Sequence, residues 1–295
     1  MCSSNHFLHL IKKFLFPASS NSSASLVFQN MNYFCTMFET PIWLERTELL
    51  LDRENLEKLS KLQVLIVGLG GVGSYAAEFI ARAGVGHMTI VDGDVVDITN
   101  TNRQLPATHE TVGQSKAQLM EARLRAINPQ MDLQAINQFI NPHETIELVN
   151  SRAYDYVLDC IDSVTPKLLL IKAAKDKGCK VISSMGAGGK IDPMKIKFAD
   201  ISKTHQCPFA FYIRKRLRKE GVHSGVMAVF SEEPADRESI KETNGLNYKR
   251  SFYGTISYIP ALFGLNMASW VIRDACDLFE PTPLCIPKNA TKKAS

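Results

Sequence analysis

The stretch Val64-Leu65-Ile66-Val67-Gly68-Leu69-Gly70-Gly71-Val72-Gly73 decides the fold. An apolar, β-branched run stops at glycines, and a helical pattern begins at Ser74. Gly68, Gly70 and Gly73 fit the spacing G-x-G-x-x-G. The first glycine permits a tight turn, the second lets a phosphate approach the backbone, and the third lets the helix pack close to the strand. Gly71 lies inside the same candidate cradle. An anion there would meet free N–H groups and the positive end of the helix dipole. The spacing alone is a weak signal. A buried strand before it, a helix after it and Asp92 and Asp94 closing the next strand make a nucleotide site the expectation.

Outward from this turn, Gln63 to Val67 reads as the first strand. Ser74 to Ala83 reads as its helix, closed by Gly84-Val85-Gly86, and His87 to Val91 as the second strand. This is one β-α-β unit of about thirty residues. Upstream, Leu49, Leu50, Leu56, Leu59 and Leu62 give Ile42 to Leu62 the spacing of one or two helices. Downstream, Asp94 to Gly113 is a polar segment too long to be idle. Helices are expected at Ser115–Asn128, His143–Val149 and Pro166–Lys177, with strands at Met131–Phe139, Tyr154–Cys160 and Lys180–Ser184. Past Met185 come a Gly186–Gly189 turn, a strand at Ile196–Ala199, an amphipathic helix at Pro208–Lys219 and a strand at Val226–Phe230. A polar, mobile excursion over Ser231–Lys249 and a closing helix at Gly264–Leu278 complete the expected order. The expected class is α/β: a Rossmann-like, doubly wound, mainly parallel sheet with a smaller C-terminal part facing the substrate.

The totals agree with such a domain. The chain has 295 residues, 45% of them hydrophobic, enough for one large core. A net charge of +4 does not demand a polyanionic partner, so any nucleic-acid contact must rest on a local cluster. Seven scattered cysteines form no C-x-x-C pair, which argues against a zinc ribbon and for reduced thiols in the cytoplasm. No apolar run reaches the roughly 18 residues that a membrane span needs. Residues 1–38 read as an extension, disordered or preceding a true start at Met31 or Met37, because Lys12-Lys13 interrupts the apolar stretch that a signal peptide would need. Residues 39–278 form the expected domain and 279–295 a loose, proline- and lysine-rich tail.

Asp92 ends the second strand, where a carboxylate accepts hydrogen bonds from ribose hydroxyls. That position does not separate ATP from NAD. The cations do, because an enzyme that cleaves ATP needs positive charge where the phosphates gain negative charge. Arg103 offers a planar fork and Lys116 a point charge at a helix start. Each alone could be a solvated charge; together, after this turn, they read as phosphate ligands. Asp162 and Ser163 follow the fourth strand, at the carboxyl end where ligands of such sheets bind. Asp162 reads as a Mg²⁺ ligand, or as a cap for the helix opening at Pro166.

From about Trp43 to Arg273 the sequence resembles the adenylating enzymes related to ubiquitin-activating enzyme, the ThiF/MoeB/HesA group. The resemblance is carried by Gly68–Gly73, Val91-Asp92-Gly93-Asp94, Asn100-Thr101-Asn102-Arg103-Gln104, Gly113-Gln114-Ser115-Lys116 and Asp159-Cys160-Ile161-Asp162. It implies a homodimer that transfers AMP from ATP to a carboxylate. By the resemblance Asp92 binds ribose, Asn100, Arg103 and Lys116 bind phosphates, Gln104 and Asp94 belong to the same site, and Asp162 holds Mg²⁺. Arg46 resembles the arginine that the partner subunit contributes.

Within the group the sequence is most similar to the tRNA threonylcarbamoyladenosine dehydratase branch. The stretches that say so include Asp162–Lys167, Gly186–Pro193, Asp200–Thr204, Val229–Glu233 and Gly254–Pro260. This implies a tRNA carrying threonylcarbamoyladenosine as substrate, with sulfur-transfer proteins as further partners. Some members carry a cysteine shortly before the Gly254 motif; here Lys249-Arg250-Ser251-Phe252-Tyr253 offers no thiol, so a thioester route is not expected. The branch usually has Asp-Pro where Cys207-Pro208 stands. The tRNA would meet Arg214, Lys215, Arg216, Arg218 and Lys219, opposite an apolar face of Phe209, Tyr212, Ile213 and Leu217. The bland alternative is favourable cations at a helix C-terminus. The competing activity is adenylation of the C-terminal glycine of a small sulfur carrier. An NAD-dependent redox enzyme and a non-enzymatic scaffold are the readings from other classes.

Overall fold

The computed structural model describes residues 38–242 and 251–279. Nearly all of the expected extension, nearly all of the expected tail and the end of the 231–249 excursion, from residue 243 on, lie outside those residues. The elements below belong to one compact unit that begins at Thr40.

In chain order the elements are α1 (Glu45–Leu51), α2 (Arg53–Lys61), β1 (Gln63–Val67), α3 (Gly73–Arg82), β2 (His87–Val91), α4 (Lys116–Ile127) and β3 (Asp132–Ile136). There follow α5 (Pro142–Asn150), β4 (Tyr156–Asp159), α6 (Val164–Lys177), β5 (Lys180–Ser184), β6 (Ile196–Asp200), α7 (Pro208–Lys219) and β7 (Val226–Ser231). β8 (Ile240–Glu242), β9 (Ser251–Tyr253) and α8 (Tyr258–Ala275) close the unit. The upstream leucines form two helices. The chain breaks at Asp52, whose backbone takes a φ of 64° while its side chain accepts the Asn55 N–H at 2.9 Å. Leu56 and Leu59 of α2 are buried, each contributing about 2 kcal/mol.

Seven strands form one sheet in the order β3-β2-β1-β4-β5-β7-β6, parallel except for β6. A parallel sheet is covered on both faces, so its central strands are continuously apolar; Val64, Leu65 and Ile66 are all fully buried. Helices α5, α6 and α7 cover one face, through a core that includes Leu148, Leu170, Ile171, Ile213 and Leu217. On the other side α8 packs on α3 and α2, and α3 on α4. The strand order reverses between β1 and β4, and the carboxyl ends there diverge into a crevice.

Three expectations are corrected. The excursion over 231–249 contains β8, which pairs with β9 in a separate hairpin. The closing helix begins at Tyr258, six residues before Gly264; Pro260 sits in its first turn, where a missing N–H costs nothing. Gly264 is instead a close approach, since a Cβ there would lie 2.2 Å from the Val72 carbonyl oxygen. In α7 the buried face is Ala210, Ile213 and Leu217; Tyr212 is exposed, so it does not belong to the apolar face.

Candidate active site

The glycine turn joins β1 to α3 at the switch point. Gly68 has a φ of 92°, and its N–H donates to the Val91 carbonyl at 2.8 Å. A Cβ on Gly73 would lie 1.8 Å from the Gly68 oxygen, so the turn closes only on a bare backbone. A Cβ on Gly70 would meet only the Gln104 side chain, at 3.7 Å. A Cβ on Gly71 would touch Pro260 at 3.0 Å, which sets α8 against the turn from behind.

Asp92 anchors this turn from β2. Its carboxylate accepts the N–H of Leu69 at 2.5 Å and of Asp94 at 2.7 Å. Burial pushes the Asp92 carboxyl above its ordinary range, against the pull of Lys116 and the two backbone bonds. Lys116 opens α4 behind the Ser115 cap, only 6% exposed, and its Nζ lies 2.9 Å from Asp94 Oδ2. Lys116, Asp94 and Asp92 thus form one row of charges beside the cradle.

The polar segment after β2 folds back on itself. Val95 bridges to Ser115, and the Gly113 N–H donates to Val96 O at 2.8 Å. A short 3-10 turn, Ile98–Asn100, is held by a reciprocal cap. Asp97 accepts the Thr99 N–H, and the Asn100 side chain accepts the Asp97 N–H at 3.2 Å. The amide oxygen of Asn100 therefore faces the loop. Arg103 donates to Thr99 O at 2.8 Å and Asn102 Oδ1 at 2.9 Å. Burial lowers its pKa, while the charges of Asp162 and Asp97 oppose that shift, so Arg103 and Asp162 sense one another across the crevice. Gln104 Oε1 is buried and has no hydrogen-bond partner within the fold.

The turn after β4 carries Asp162, exposed, and Ser163, the N-terminal flanking residue of α6. The helix starts at Val164, so Ser163 rather than Asp162 holds the cap position. What sequence reasoning missed lies beneath this turn. Asp159 and Lys167 are both fully buried and pair at 2.6 Å. Lys167 Nζ also donates to Ser183 Oγ at 3.2 Å and Ser184 O at 2.9 Å, while Asp159 Oδ1 accepts the Ile161 N–H at 3.1 Å. This network joins the carboxyl ends of β4 and β5 to the Asp162 turn. Its only trace in the sequence is an aspartate ending an apolar strand eight residues before a lysine. Burial, then the charge of Asp159, raises the pKa of the Cys160 thiol, so it stays protonated and is no nucleophile.

The structure thus brings together the glycines, Asp92, Asp94, Asn100, Arg103, Gln104, Lys116, Asp162 and Ser163. Arg46 lies exposed on α1. Among the described residues no group of three or more His, Cys, Asp or Glu is arranged to hold a metal. A bare glycine turn with Arg103 against it and Lys116 beside Asp92 fits a nucleoside phosphate.

Fold and site together define a Rossmann-like α/β protein with a glycine turn of the phosphate-binding type at the switch point of its sheet. The chain belongs to the ThiF family, whose profile matches residues 44–285. A relative from Bacillus subtilis (strain 168), tRNA threonylcarbamoyladenosine dehydratase, is 42% identical over 236 residues, 78% of this chain and 92% of that protein. The Escherichia coli (strain K12) protein of the same name is 40% identical over 201 residues, 65% of this chain and 75% of that one. The structure of the E. coli enzyme in complex with ATP superposes with a TM-score of 0.71 at 34% identity, covering 81% of this chain and 97% of that one. A complex of the same enzyme with AMP has the same TM-score and identity. No helix among the described residues is long and apolar enough to cross a membrane.

Proposed function

We propose that the chain is an ATP-dependent tRNA threonylcarbamoyladenosine dehydratase, with residues 39–278 as its adenylating domain. The observation that carries the reading is the cradle at Gly70. Gly70 leaves bare backbone open to a phosphate, with only the Gln104 side chain near it, and the Lys116–Asp94 pair lies beside Asp92 at the end of the neighbouring strand. The relatives named for this reaction support it.

ATP is consumed as a substrate. The α3 N-terminus and the glycine turn hold its phosphates, and Asp92 accepts from the ribose hydroxyls. The carboxylate of threonylcarbamoyladenosine attacks the α-phosphorus and pyrophosphate leaves. Lys116 and Arg103 neutralise charge that develops on the phosphoryl oxygens. The carbonyl, now an acyl adenylate, is attacked by the neighbouring ureido group; AMP leaves and the ureido proton passes to solvent. The second step is intramolecular, so orientation is most of what it needs. Asp162 would hold Mg²⁺, which would supply positive charge against the charge that develops on the phosphates.

The enzyme acts as a homodimer in the cytoplasm. Ile42, Leu49 and Leu50 are 89, 84 and 82% exposed on the N-terminal turns, an apolar surface suited to a second copy. The described cysteines are free thiols, in keeping with a reducing compartment. Sulfur-transfer proteins are the further partners that the resemblance suggests. The tRNA phosphates meet Lys215, Arg216, Arg218 and Lys219 of α7. Arg214 is engaged inside the fold, donating to the Thr204 carbonyl at 2.7 Å and to its hydroxyl, and contributes charge rather than a free fork.

The test is AMP release from ATP and Mg²⁺ with modified tRNA, unmodified tRNA or a glycine-tailed sulfur carrier. Nucleoside mass analysis would run alongside. The expected result is release that needs the modified tRNA, with the nucleoside lighter by one water. Release only with the carrier would overturn the dehydratase reading and leave adenylation standing.

A further inference from the structure

The outer face of α7 has more on it than charge. Ala210, Ile213 and Leu217 bury one side of the helix. The opposite side presents Phe211, 58% exposed, and Tyr212, 44% exposed, followed one turn later by Lys215 and Arg216 and then by Lys219. These positions, at i, i+1, i+4, i+5 and i+8, form one strip along the helix. No acidic residue occurs between Pro208 and Lys219.

Cations near a helix C-terminus need no ligand to be favourable. The aromatics have no such account. Two adjacent rings lie open to solvent, each beside a guanidinium: Arg214 Cζ is 5.6 Å from the Phe211 ring centre, and Arg216 Cζ is 5.9 Å from that of Tyr212. Arg216 also donates to the Tyr212 hydroxyl at 3.2 Å, which steadies that ring. Exposed rings with cations at their flanks are the surface on which unpaired nucleobases stack while their phosphates are neutralised.

We propose that the Phe211–Tyr212 strip of α7 is a stacking platform for unpaired bases of the RNA substrate, selecting a single-stranded loop over duplex. The proposal rests on the dehydratase reading and extends it from charge to RNA form. Two arguments fix the occupant. A duplex hides its base faces within the stack and offers side chains only phosphates and groove edges, so exposed rings gain nothing from it. The reaction also takes place on a group attached to a base, which must reach the crevice out of any stack. The placement agrees. At the N-terminal end of α7, Phe209 lies 3.5 Å from the position of a Cβ on Gly186, in the turn after β5 on the carboxyl side of the sheet. From there the helix runs about 18 Å, room for several nucleotides.

The test compares fluorescence anisotropy of an RNA hairpin with an open loop and of a fully paired duplex, each at several salt concentrations. The proteins are the wild-type chain, Phe211→Ala/Tyr212→Ala and Lys215→Ala/Lys219→Ala. The aromatic double variant should bind the hairpin about 10- to 100-fold more weakly. Its duplex binding, salt slope, melting temperature and ATP binding should remain those of wild type. The lysine double variant should weaken both RNAs and flatten the salt slope. Equal loss on hairpin and duplex, or no loss on either, would overturn the platform; so would a change in sedimentation, which would make the strip an interface between copies. If the wild-type chain converts modified hairpin while the aromatic variant binds normally, the platform fails and the dehydratase reading stands. If the wild-type chain binds no RNA and releases AMP only with a glycine-tailed carrier, both fail.

Discussion

Lys116 and Asp92 carry opposite charges into the same crevice, and their surroundings predict different behaviour. Lys116→Met removes the point charge that the proposed function sets beside the phosphates but leaves Asp94 half exposed, where water can solvate it. The expected outcome is a loss of about 100- to 1000-fold in kcat for AMP release with little change in melting temperature. An unchanged kcat would remove Lys116 from the phosphate site. For Asp92 the variable is pH. Burial raises its pKa, so its negative charge is lost earlier on acidification than that of an ordinary aspartate near 4. With Asp92 as the proposed ribose acceptor, that acceptor weakens with it, and KM for ATP should rise as pH falls through that raised value. Stability moves the other way. An acid with a raised folded pKa is a burden at neutral pH and is relieved by protonation, so this term in the stability of the ATP-free chain improves over the same window. A KM for ATP that stays flat down to the ordinary carboxylate range would refute the role. At this scale the sequence placed Asp92 and Asp162 at the carboxyl ends of β2 and β4, and that is where they lie. It could not say which of them are already paired. The capping of Asn100 against Asp97 and the contacts of Arg214 with Thr204 depend on loop geometry that no residue spacing encodes.

The glycine turn and the turn after β4 are the two elements whose approach makes the crevice, and their substitutions separate folding from binding. A Cβ at Gly73 collides with backbone at 1.8 Å, so Gly73→Ala should prevent closure of the turn and cost several kcal/mol, more than the 1–3 kcal/mol of ordinary overpacking. Gly70→Ala meets nothing nearer than 3.7 Å, from a flexible glutamine, so it should melt like wild type. Its new methyl group would still stand where a phosphate must approach, and calorimetry should find ATP binding weakened at least tenfold. Equal stability losses for the two variants would contradict this division. Beneath the second turn, Lys167→Met leaves the Asp159 carboxylate buried without its counter-charge, which should cost about 3–5 kcal/mol in chemical denaturation. Adding Asp159→Asn should recover part of that loss, because the stranded charge is then gone. Here the sequence misleads. A lysine inside a helix normally reads as solvated, and only the packing of α6 over β4 and β5 turns Lys167 inward. The same holds for Gly264, whose place in α8 is explained by the Val72 carbonyl beside it.

For the whole molecule, the β-α-β grammar was sufficient to anticipate a doubly wound sheet. It could not supply the insertion of β7 between β5 and β6, since the antiparallel β6 is joined by pairing across a long sequence separation. Nor does one chain say what covers Ile42, Leu49 and Leu50. If a second copy covers them, Arg46, exposed on the same α1 helix, is placed to act on the partner's nucleotide rather than its own. That arrangement has a consequence that mixing can read. Arg46→Ala and Lys116→Met should each be nearly inactive alone. In a hybrid dimer, the Arg46→Ala subunit retains its own Lys116 and receives a normal arginine from its Lys116→Met partner, so one of the two sites is whole. Random exchange makes about half of the dimers hybrid, so the mixture should recover about a quarter of wild-type activity. Leu49→Glu/Leu50→Glu should abolish this recovery by placing acids in the shared apolar surface, with sedimentation shifting to the monomer. If Arg46 serves its own subunit, mixing restores nothing, because neither copy then holds a complete site.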